Sequence, residues 1–194
     1  MIVVFGLLHL FFKFVEGWDY NREYMSDFKN NTKDASNISQ QLESVLQKEH
    51  LKYEYEKSDQ DDTAYVFHVQ RHEEQFNLVV RADIPLVQIV MVWYLSDMFD
   101  KDDEYFILHH INLINGNMPA KLFYSISYDE EVKRLSVTAI KDYYWLSEIP
   151  DINEDFMGNM DFVERLKRLF GISILEEKLT RTGQAEVVKP QYDA

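Results

Sequence analysis

The sequence predicts an α+β domain, an antiparallel sheet meander with an N-terminal helix, a central helix, a hairpin and a long C-terminal helix. Three observations predict it. Four strand-like segments follow one another between Leu51 and Leu95, separated only by short polar or proline-bearing breaks. Apolar stripes of helical period flank them on both sides. The chain has 194 residues with a hydrophobic fraction of 46%, rich in Phe and Tyr, so one core burying roughly 70% of the unfolded surface is within reach.

Each element has its own local reason. Asn37 followed by Gln40 has the spacing of a capping box, and Ile38, Leu42, Val45 and Leu46 form one stripe, so a first helix runs to about Glu49. Strands follow over Leu51 to Lys57, Ala64 to Arg71, Phe76 to Ala82 and Leu86 to Leu95. The breaks at Ser58 to Asp62, His72 to Gln75 and Asp83 to Pro85 are short enough to join antiparallel neighbours. Leu86 to Leu95 is apolar on both alternations, with Val87, Ile89, Met91 and Trp93 on one side and Val90, Val92 and Tyr94 on the other. Such a strand is central, or is covered on its second face by a partner.

The acidic run Asp100 to Glu104 suits a helix start, where carboxylates meet the positive end of the backbone dipole. The stripe of this second helix is Ile107, Leu108, Ile111, Ile114 and Met118, with Asn112 and Asn115 aimed near the core edge. An amide both donates and accepts, so the pair is expected to clamp the helix end to the next strand. Gly116 is expected to supply a left-handed stop, with Pro119 preventing continuation. Ala120 to Tyr128 and Arg134 to Trp145 form a hairpin about Asp129, Glu130 and Glu131. A long helix over about Asp155 to Thr180 carries Met160, Val163, Leu166, Leu169, Phe170 and Leu175 toward the sheet. Residues 35–182 therefore form the domain, and 183–194 a tail.

Residues 1–34 are an apolar then polar extension. Three readings compete for Ile2 to Val15. Roughly fourteen apolar residues fall short of the about twenty that a membrane span needs, but would serve an anchor with burial elsewhere. The run would equally pack on the domain. Alternatively translation starts at Met25, since Arg22-Glu23 can be encoded by AGGGAG, a purine-rich ribosome-binding sequence. It lacks the basic leader and small-residue cleavage site of a secretory signal.

Composition excludes several chemistries. Asp and Glu outnumber Lys and Arg by 34 to 20, a net charge of −14, which repels phosphate backbones and argues against a nucleic-acid partner. No cysteine is present, so disulfides, thiolate metal sites and cysteine nucleophiles are ruled out; this fits a reducing cytoplasm. His68 and His72 on one strand would stand roughly 13 Å apart, too far to share a metal. His109 and His110 point about 100° apart on a helix. The acidic clusters fall in turns and at helix starts, without the glycine and ligand spacing of a calcium loop. No phosphate-binding glycine motif or nucleophile elbow occurs. No catalytic residue, cofactor or metal ligand is expected, and the chain reads as a non-enzyme.

The order helix, meander, helix ending in Ile111-Asn112-Leu113-Ile114-Asn115, strand Ala120-Lys121-Leu122-Phe123-Tyr124, hairpin and helix from Asp161-Phe162 resembles the YbjN family of bacterial proteins, which share a type III secretion chaperone-like fold. The resemblance spans about Ser39 to Leu179. It implies a sensory-transduction regulator or other protein-binding module in the cytoplasm, with no catalytic residues to carry over. It also implies that pairing into a homodimer is open. Membrane association would come only through residues 2–15.

The remaining candidates are aromatic. Trp93 and Tyr94 end the apolar strand, and Tyr143, Tyr144 and Trp145 end the hairpin. They either plug the sheet or form a protein-binding patch, since aromatic residues carry much interface energy. Alternation puts Tyr143 and Trp145 on one face, leaving Tyr144 as the most exposed of those three.

Overall fold

The computed structural model describes residues 35–57, 64–81, 84–95, 99–129, 132–146 and 149–183. The readings of Ile2 to Val15 and of a start at Met25 lie outside the described residues, as does all but the first residue of the tail. Helix α1 spans Ala35–Lys48 and is followed by strands β1 (Lys52–Lys57), β2 (Ala64–Arg71), β3 (Glu74–Arg81) and β4 (Leu86–Tyr94). A short 3-10 turn, Lys101–Asp103, leads into α2 (Glu104–Asn117), then β5 (Lys121–Asp129), β6 (Val132–Tyr144) and α3 (Ile152–Arg181).

The strands form one six-stranded sheet in the order β1-β2-β3-β4-β6-β5, every neighbouring pair antiparallel. The fold is the expected α+β one, and its doubly apolar strand β4 is interior, between β3 and β6. Register decides what each face carries. Val69, Phe76, Met91, Ala139 and Leu122 lie in one row across five strands, and all are buried against the helices. Beside it run Phe67, Leu78 and Ile89. Each large apolar side chain so buried contributes about 1.5–3 kcal/mol. The described helices share this single core with one sheet face.

Helix α1 brings Leu42, Val45 and Leu46 to that core, and Gln41 anchors it by accepting a 2.6 Å hydrogen bond from the Trp145 indole. It begins at Ala35, so Asn37 lies inside the helix rather than at its cap. In α2 the buried residues are Phe106, Ile107 and Ile111, with Ile114 partly buried, whereas Leu108 and Met118 are exposed. The expected stripe is thus rotated. The helix rests on β5 and also lies beside α3, which draws Phe106 inward beneath the Arg181 guanidinium, 4.9 Å from the ring centre.

The stop at Gly116 also differs from expectation. Among the described glycines only Gly183 has positive φ, and Gly116 stays within the helix. What ends α2 is Met118, extended at φ −118° and ψ 150°, the conformation a following proline imposes.

Helix α3 starts at Ile152, three residues earlier than expected, because the Asp151 carboxylate caps it by accepting from the Glu154 amide at 3.1 Å. Its buried stripe includes Phe156, Met160, Val163, Leu166, Phe170 and Ile174, while Leu169 and Leu175 are exposed. The 3.6-residue period allows either set. Trp93 meeting Phe170 edge-on, and Tyr143 and Trp145 meeting Phe156, select the observed one.

Ion pairs hold α3 at its middle and near its C-terminus. Glu164, only 6% exposed, takes Arg168 at 2.5 Å, Arg71 at 3.4 Å and His72 at 3.5 Å, and Arg71 also reaches Asp161 at 2.5 Å. With the Lys167 to Glu74 bond at 2.5 Å, these tie the β2–β3 turn to the helix. Near its C-terminus the Lys178 ammonium donates to Asp103 at 2.6 Å, a bond that raises its pKa.

Candidate interaction surface

The face of the sheet away from this core is organised by the same register. Along the central β4–β6 ribbon the cross-strand pairs are Leu86 with Tyr144, Gln88 with Asp142, Val90 with Ile140, Val92 with Thr138, and Tyr94 with Ser136. Phe123 of β5 flanks Thr138, and Val79 of β3 flanks Gln88. Strand β4 rises about 3.4 Å per residue, so Tyr94 and Tyr144 mark the two ends of a strip roughly 27 Å long. They are 51% and 54% exposed.

Polar groups on this face are paired across strands. The Gln88 amide donates to Asp142 at 2.8 Å, His68 Nδ1 and Asn77 Oδ1 are 2.8 Å apart, and the Ser125 and Ser136 hydroxyls share a 2.8 Å bond. These pairs lie beside Val90, Val92, Phe123 and two tyrosines, while Thr138 Oγ1 is buried without a partner among the described residues, a mix of apolar, aromatic and polar groups of the kind found at protein contacts.

The two sheet edges are guarded. Strand β1 is an edge whose sequence, Lys-Tyr-Glu-Tyr-Glu-Lys, is charged at four of six positions, which opposes pairing with another strand. At the β5 edge the Asn115 side chain imitates a neighbouring strand. Its Oδ1 accepts from the Leu122 amide at 2.6 Å and its Nδ2 donates to the Leu122 carbonyl at 2.9 Å. Lys121 closes the corner by donating to the Asn115 carbonyl at 2.6 Å.

The structure divides the sequence-derived residues. Tyr94 and Tyr144 are exposed at the two ends of the strip, whose Leu86, Ser136, Thr138 and Ile140 are buried. Trp93, Tyr143 and Trp145 are not exposed: each is buried among core aromatics, because alternation turns it toward α1 and α3, and none is available to a partner. Burial raises the Tyr143 phenol pKa, and the nearby Asp155 carboxylate raises it further without a well-formed hydrogen bond. Of the two asparagines only Asn115 clamps. Asn112, a turn fraction away, is exposed and makes no side-chain hydrogen bond among the described residues. Among the described residues no three His, Asp or Glu side chains are grouped to hold a metal, and no helix is long and apolar enough to cross a membrane.

Sequence reasoning passed over Phe123 and Ile140 as members of this face, although alternation from Leu122 and Ala139 was enough to place them there; Phe123 is half-buried and Ile140 buried. It also missed the buried Glu164, for which the stripe between Val163 and Leu166 gave no signal.

Fold and surface together define an α+β protein whose described helices share one face of an open antiparallel sheet. Among solved structures the chain is similar to an uncharacterized protein from Methanothermobacter thermautotrophicus, with a TM-score of 0.52 and 11% identity over 72% of this chain and 98% of that one. That likeness is one of fold. It is also similar to YbjN from E. coli, a proposed transcription regulator, with a TM-score of 0.41 and 12% identity over 74% of this chain and 93% of that one. No protein-family model and no curated protein matches the sequence.

Proposed function

We propose that the chain is a non-enzymatic protein-binding module, regulatory in role and cytoplasmic in setting, which receives a protein partner at Tyr94 and Tyr144, the exposed ends of the sheet strip. The observation that carries this reading is the exposure of those two aromatics at the two ends of the β4–β6 strip. Guarded edges favour face-on contact over strand addition. A role in bacterial signalling or stress regulation is what the family resemblance implies, and homodimer formation through the strip is the same contact made with a second copy.

The test is a double variant, Tyr94→Ser with Tyr144→Ser, in the full chain. Both side chains are exposed, so the melting temperature is expected to hold. Quantitative mass spectrometry of affinity-purified material should show partners lost from the variant relative to wild type. An unchanged set of partners, with unchanged oligomeric state by light scattering, refutes the assignment.

A further inference from the structure

Away from that strip, a groove of about 990 Å³ opens between the start of α3, the end of α1 and strand β6. Ile149, Met157 and Phe162 form its apolar wall, partly buried against the core margin. Glu49, Asp151, Glu154 and Asp155 also line it, and none has a Lys, Arg or His within 4.0 Å among the described residues. Lys48 and Lys141 line it too. The Lys141 ammonium is engaged by the Asp142 carbonyl at 2.8 Å. Asp161, by contrast, is neutralised by Arg71. All four carboxylates are exposed, so acidic groups stay in excess over cations beside a partly buried apolar wall.

Gly158 lies in the middle of this wall. A Cβ built there meets nothing within 4 Å, so no internal contact requires glycine, although glycine inside a helix is unfavourable relative to alanine. Its effect is a notch in α3 between Met157 and Phe162 that lets another backbone approach closely.

From the groove, its exposed carboxylates that lack an ion-pair partner among the described residues, and this notch, we infer that the groove docks a cationic amphipathic segment of a partner protein. Apolar side chains of that segment rest on Ile149, Met157 and Phe162, and its Lys or Arg residues meet Glu49, Asp151, Glu154 and Asp155. The site is separate from the strip of Tyr94 and Tyr144, and either can fail without the other.

The probe is a fluorescein-labelled synthetic amphipathic peptide of Leu and Lys, with its Leu and Glu counterpart as control, titrated with the full chain by fluorescence anisotropy. The Leu/Lys peptide should bind with an affinity that falls as salt rises, and the Leu/Glu peptide should not bind. Glu154→Gln with Asp155→Asn should weaken binding about tenfold. Glu54→Gln with Glu56→Gln removes the same charge from strand β1 and should leave binding unchanged. Gly158→Gln should weaken binding while melting no lower than wild type, and Gly171→Gln, on a helix position equally open, should not weaken it.

Four results overturn the proposal. Equal weakening by the two carboxylate pairs means diffuse attraction to an acidic protein. Binding lost with Tyr94→Ser and Tyr144→Ser but kept in the groove variants places the peptide on the sheet. Self-association of the wild type that the groove variants abolish makes a second copy the occupant. No binding of the Leu/Lys peptide removes the site.

Discussion

Replacing Asn115 by Leu removes both hydrogen bonds that the side chain makes to Leu122, the 2.6 Å bond to its amide and the 2.9 Å bond to its carbonyl. A typical hydrogen bond contributes about 0.5–1.5 kcal/mol net. The site is partly buried, so water replaces the lost partners incompletely, and the pair amounts to about 2 kcal/mol. For a domain of this size that corresponds to a fall in melting temperature of roughly 4–8 °C, read by circular dichroism and checked by the urea midpoint at constant slope. Asn112→Leu is the matched control and should stay within about 0.5 kcal/mol of wild type. Asn115→Asp keeps the acceptor for the Leu122 amide but turns a carboxylate toward the Leu122 carbonyl. Its deficit relative to wild type should shrink as pH falls through the ordinary carboxylate range, where a protonated acid donates to that carbonyl. An Asn115→Leu protein that melts within a degree of wild type would refute the clamp.

Further expectations concern the core and its ties. Glu164→Gln leaves Arg71 and Arg168 without their shared carboxylate and should cost about 2 kcal/mol by urea denaturation, less than a wholly orphaned buried charge because Asp161 still serves Arg71. Trp145→Phe keeps the ring contact with Phe156 but deletes the bond to Gln41, so α1 should loosen by about 1 kcal/mol and its amides exchange faster while those of β3 do not. The Tyr143 phenol pKa is raised in the fold, so its stabilising effect is complete below the ordinary phenol pKa of about 10 and is lost as pH rises through the folded value. Alkaline titration of phenolate absorbance should therefore show one tyrosine that ionises only with unfolding, and Tyr143→Phe should abolish that late step. Appearance of the late step in Tyr143→Phe would show that another tyrosine is responsible.

Much of the architecture could be read from periodicity because strands expose their alternation directly. Val87, Ile89, Met91 and Trp93 against Val90, Val92 and Tyr94 are sorted by parity alone, and the structure sorts them the same way. Helix faces were harder. A stripe through Ile107 and Ile111 is compatible with Phe106 or Leu108 as the third member, and only the position of α3 chooses between them. The surface was least legible. Tyr143 and Tyr144 are neighbours of identical chemistry, one in the core and one outside, and the groove at the α3 start joins residues from three distant stretches of chain, so no local window contains it.

The position of β6 has a consequence during biosynthesis. Strands β1 to β4 form a meander from adjacent segments, but the remaining side of β4 is paired only by β6, about fifty residues further on. At ~5–20 residues per second of synthesis, the apolar β4 edge waits roughly 3–10 s for its neighbour. The nascent chain therefore passes through a period in which its most hydrophobic strand is an open template. Translation speed over α2 and β5 sets how long ribosome-bound chains on one message can cross-pair through it.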